Sequence, residues 1–130
     1  MKALADKMVV LENDVSKEKG NFSLFVLIQR EDALDKWDIL VAANWIEQDK
    51  QKGMEYLVKK IHNRLDSKEI LNISRVVFLE KGNPILTAFH KAIRAEHNDL
   101  RKSFAAEVTD CVFFGFKIKH AYVITSANID

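Results

Sequence analysis

The side chains best suited to chemistry in this chain are the carboxylates Glu31, Asp32, Asp35 and Asp38, four within eight residues, with Arg30 and Lys36 beside them. Oxygen ligands at this density suit a hard cation such as calcium. The run lacks the alternating acidic spacing, the central glycine and the distal glutamate of an EF-hand loop, and the two cations offset its charge. A charged connection between apolar strands has a plainer reading, because it sits in water and discourages strand-edge pairing. The segment from Glu31 to Lys36 is therefore expected to be a solvated hairpin tip, with no metal. Asp38 is a separate case. It stands between Trp37 and Ile39 inside an apolar run, where a carboxylate must point to solvent, find a partner or bind something. The expectation is an exposed position near a strand end.

Two histidines, His90 and His97, share a stripe with Leu86, Ile93 and Leu100. Seven residues at a 1.5 Å rise separate them by about 10.5 Å along a helix axis, too far for one zinc with bonds of about 2.0 Å. They read as histidines flanking a core stripe, each hydrogen-bonded to a strand backbone or a carboxylate. The single cysteine, Cys111, lies in an apolar run and allows neither an intrachain disulfide nor a paired-cysteine zinc site. No serine stands in a GxSxG elbow. Nothing here calls for a cofactor, and the catalytic residues, if any, are unknown.

Twenty Lys and Arg oppose nineteen Asp and Glu, a net charge of +1, so no global field draws the chain to nucleic acid or anionic lipid. The basic groups at Lys59, Lys60, His62 and Arg64, at Lys91, Arg94, Arg101 and Lys102, and at Lys117, Lys119 and His120 are interleaved with acids or sit near helix ends, which suits solvated faces. With 48% hydrophobic and 30% charged residues over 130 positions, the chain fits one folded domain spanning 1–130. The first twenty residues carry Asp6, Glu12 and Asp14 without a signal-peptide core, and no run is long enough to span a membrane. Together with the lone cysteine this predicts a cytoplasmic protein.

The elements follow from periodicity. Leu4, Met8, Leu11 and Val15 predict a helix over 3–18, closed by Gly20. Residues 22–28 and 37–45 read as strands apolar on both faces, and the short link makes them an antiparallel hairpin. Met54, Leu57, Val58, Ile61 and Leu65 mark a helix over 49–66 with Asp49 as its cap, followed by a short capped turn at Ser67–Ile70. Arg75–Glu80 reads as a strand, and Asn83-Pro84 opens a helix running to Lys102. Val108–Thr125 is too long for one strand and should break around Gly115 to His120 into a second hairpin. The predicted order is α-β-β-α-β-α-β-β, an α/β (α+β) domain with a mixed five-stranded sheet and three helices.

A hairpin after a first helix, with Asp38 on a strand and an acid-x-Lys type of element downstream at Gln48-Asp49-Lys50, resembles the PD-(D/E)xK nuclease superfamily in outline. That resemblance implies carboxylates holding Mg²⁺ and a lysine supporting the attacking water. Here Asp38, Gln48 and Lys50 would take those positions, although Gln replaces the usual acid and the stretch reads as a helix start.

The run Cys111–Ile118 with Tyr122 is apolar on both faces, and three helices do not easily cover both sides of five strands. Phe114, Phe116 and Tyr122 are accordingly the expected contact residues of a homodimer or a protein partner. The preferred expectation is a small non-catalytic interaction module. A metal-dependent nuclease and a nucleic-acid-binding domain are the alternatives.

Overall fold

The computed structural model describes residues 2–32, 36–97, 106–113 and 116–126, with side chains over 3–32, 36–91, 118 and 120–126. Helix α1, Lys2–Lys19, buries the predicted stripe of Leu4, Met8, Leu11 and Val15 to 2% exposure or less. It stops at Gly20, whose φ of 129° lies in the region that favours glycine. The chain then enters β1, Phe22–Arg30, and returns as β2, Trp37–Ala43, in an antiparallel pair that sets Phe25 against Val41 and Ile28 against Asp38.

The predicted second strand ran on to Trp45, but β2 ends at Ala43 and a short helix, α2 (Asn44–Gln48), follows. Continuous apolarity could not show this change, because α2 buries Ile46 as fully as the strand buries its own residues. Helix α3, Lys50–Arg64, starts where expected, with the Asp49 carboxylate accepting from the Lys52 amide at 3.2 Å. The capped turn is a helix of its own, α4 (Ser67–Leu71), opened by a reciprocal capping box between Asp66 and Glu69. Strand β3, Ile73–Phe78, lies parallel to β2. Helix α5, Pro84–His97, is preceded by Asn83, whose side chain accepts from the Ile85 amide at 2.9 Å. Strands β4, Ala106–Phe113, and β5, Phe116–Ser126, pair antiparallel. The fold is thus mixed α/β, but the described residues form five helices in place of three, in the order α-β-β-α-α-α-β-α-β-β.

The strands form a mixed sheet in the order β3-β2-β1-β5-β4. One face carries Phe25, Leu27, Ile39, Val41, Tyr122 and Ile124 beneath α1 and α3. The other carries Leu24, Val26, Leu40, Ala42 and Val123 against Leu86 and Phe89 of α5. Both faces of β1 and β2 are therefore covered, as continuous apolar runs require. The cover on the second face comes from α5, which divides the three long helices between the two sides. Each fully buried Leu, Ile or Phe contributes about 1.5–3 kcal/mol, so the two cores together hold the central strands rigidly.

Candidate functional site

Asp38 is the first position at which the structure corrects the expectation: it is 3% exposed, not on a solvent face. Alternation along β2 sends Trp37, Ile39 and Val41 into the α1/α3 core and places Asp38 on the other face with Leu40 and Ala42. Its neighbours across the sheet are Ile28 on β1 and Arg75 on β3. Burial of the carboxylate is compensated by two cations. Asp38 Oδ2 lies 3.6 Å from Arg30 Nε and 3.3 Å from Arg75 Nε. These are ion pairs and not close hydrogen bonds, since Oδ2 accepts none. Arg30 Nε is also 3.6 Å from Asp32 Oδ1.

The hairpin tip is exposed at Glu31 and Asp32, and Asp35 lies outside the described residues. Lys36 donates to the Leu71 carbonyl at 2.5 Å. Among the described residues no group of three or more His, Cys, Asp or Glu could hold a metal ion.

Gln48 and Lys50 are not brought to Asp38. The strand separates them: five residues from Asp38 to Ala43 span about 16 Å at ~3.3 Å each, and Gln48 ends the helix beyond. Lys50 pairs instead with Glu80 at 3.0 Å, and Asp49 is occupied as the α3 cap. The acid and lysine that the nuclease resemblance would unite stand at opposite ends of β2.

His90 is buried, as a core-flanking histidine should be, and one of its partners is a side chain of the neighbouring strand. Its Nδ1 is hydrogen-bonded to the Ser126 hydroxyl of β5 at 3.0 Å. The His97 side chain lies outside the described residues, as do Phe114 and the side chain of Phe116. Tyr122, expected at a partner contact, is only 8% exposed and packs in this chain's own core. Its ring stacks on His120 at 4.9 Å and tilts against Trp37 at 5.6 Å. Alternation along β5 turns it inward into the core beneath α1.

Among the described residues the exposed large apolar side chains are Val10 (54%) and Leu71 (68%). Leu71 closes α4 and leads directly into β3, an edge strand that is half-exposed where its neighbour β2 is buried throughout. The Leu79 amide donates to the Val41 carbonyl at 2.9 Å. In a parallel pair this directs the odd-numbered amides of Val77 and Leu79 towards β2 and turns the backbone groups of Val76 and Phe78 to the open side. Sequence reasoning missed both the arginine pair and this edge. Arg75 carried a signal, as a charge opening an otherwise apolar strand, but nothing in the sequence set it beside Asp38.

Comparison of the chain with protein-family models, with curated proteins and with solved structures gives no match.

Proposed function

We propose that this chain is a non-catalytic interaction module that pairs with a second copy of itself through the outer edge of β3. The observation that carries the reading is a six-residue edge strand with outward-facing backbone donors and acceptors at Val76 and Phe78, bordered by the exposed Leu71. Unpaired edges of this kind accept a further strand. A two-fold antiparallel pairing centred on Val76 lets the two Val76 residues exchange both of their backbone hydrogen bonds. It also sets Arg75 against Val77 of the second copy, so that no like charges oppose one another. The chemistry-bearing side chains support the same reading, because Asp38, Asp49, Lys50 and Glu80 are committed to ion pairs or caps.

Light scattering coupled to size exclusion tests it. The wild-type chain is expected to run at twice its 15.0 kDa mass. Val76→Pro, which deletes one outward amide and spares the ladder to β2, is expected to run as a monomer with an unchanged circular dichroism spectrum. A wild-type chain that stays monomeric at high micromolar concentration refutes the proposal.

A further inference from the structure

We infer that Arg30 and Arg75 form an oxyanion-binding site on the α5 side of the sheet, with Asp38 as the residue that positions them. Each guanidinium group addresses the carboxylate through its Nε, at 3.6 and 3.3 Å from one oxygen that accepts no hydrogen bond. A carboxylate and an arginine left to themselves pair through two parallel, shorter bonds. Here that mode is used by neither arginine, and a second acid among the described residues, Asp32, is also paired with the Nε of Arg30. Among the described residues the paired Nη donors of both side chains are thus left without a hydrogen-bond acceptor, with Arg75 56% exposed and Arg30 26%. The two Nε atoms are at most about 7 Å apart, the sum of their distances to Asp38 Oδ2. Two forks at that separation can both reach one carboxylate or phosphate group.

The charges that face the site define the strength of binding. Asp32 and Asp38 balance the two arginines, and Lys36, the nearest further cation in sequence, is engaged by the Leu71 carbonyl. Capture therefore depends on directed hydrogen bonds and not on a long-range field, which fits a weak site for a carboxylate- or phosphate-bearing ligand. The donors rise from a face of the sheet while self-pairing uses the backbone edge of β3, so either proposal can fail without the other.

The test uses the full chain with sodium phosphate, sodium acetate and sodium chloride at matched ionic strength. Phosphate or acetate is expected to raise the thermal midpoint above that in chloride and to shift the Nε–H resonances of Arg30 and Arg75 in a titration followed by NMR. Arg75→Lys keeps the charge but removes the fork, and is expected to weaken the response about fivefold, the worth of one hydrogen bond. A response to both anions identifies a carboxylate-type oxyanion site, and a response to phosphate alone identifies a phosphate site. Equal midpoints in all three salts, or unmoved Nε–H resonances in the wild-type chain, overturn the inference. So does an undiminished response in a folded Arg75→Lys variant.

Discussion

Asp38 is served by two cations of unequal exposure, and the inequality decides which substitution is costly. Removing Arg75 leaves Arg30 beside the buried carboxylate, so Arg75→Met should cost about 1 kcal/mol, in the range of a partly solvated pair. Removing both arginines leaves a buried charge without compensation, and the double change to Met should cost about 3 kcal/mol or more. Urea unfolding at neutral pH measures both, and simple additivity of two small losses would count against the shared role of Asp38.

A second residue pair makes stability depend on pH. The Tyr56 hydroxyl donates to Glu18, and burial together with that carboxylate pushes the phenol up to about 12 from its ordinary 10.0. The hydrogen bond from Tyr56, aided by the charge of Lys60, holds Glu18 below its usual range. A phenol raised in the folded state binds its proton more tightly there than in the unfolded chain. Its stabilisation is complete below pH 10 and disappears as pH rises towards 12. For Glu18 the sense is reversed: its contribution is present above pH 4.5 and declines as pH falls. Tyr56→Phe keeps the ring between Trp45 and the ammonium groups of Lys19 and Lys60. It should therefore flatten the alkaline limb of a stability profile measured from pH 9 to 12. A limb as steep as the wild type's would show that another group is titrating.

Between α2 and α3 the packing rests on a missing side chain. A Cβ added at Gly53 would meet Ile46 Cα at 3.1 Å and both branches of that side chain at 3.3 Å. Alanine normally stabilises a helix interior by about 1 kcal/mol relative to glycine. Here the backbone of a helix anchored by a fully buried Ile46 must give way, and overpacking costs about 1–3 kcal/mol. Gly53→Ala is expected to lower the thermal midpoint, in contrast to the propensity scale. A raised midpoint would mean that α2 shifts freely on α3. Helix α4 depends on its ends in the same way, since it is only five residues long between its caps Asp66 and Asn72. Asp66→Ala should destabilise by about 1 kcal/mol in the same assay.

For the molecule as a whole, the sheet order puts β1 between β2 and β5, with both of its edges paired and both of its faces covered. Amides of Phe25 and Val26 should exchange with solvent only through global unfolding. Those of Val76 and Phe78 should be protected in concentrated solution and lose protection on dilution, as their pairing across two copies dissociates. Hydrogen exchange followed at two concentrations reads both behaviours, and concentration-independent exchange at Val76 would detach the edge from any assembly.

What the residues determined unaided is the local part of this architecture. The stripe from Leu4 to Val15 specifies α1, the runs around the charged tip specify the β1–β2 hairpin, and Asp49, Asn83 and Pro84 mark helix starts, because each signal is contained in a few neighbouring side chains. The change from strand to helix at Asn44 was hidden, since burial on all sides erases the periodicity that separates the two states. The burial of Asp38, the inward turn of Tyr122 and the separation of Asp38 from Lys50 were decided only by the tertiary structure. Each depends on which strands lie side by side: β3, far along the chain, brings Arg75 to Asp38, and α1 closes over Tyr122. A carboxylate is tolerated in a core only when a cation arrives from elsewhere to accompany it, and the linear order of residues carries no record of that arrival.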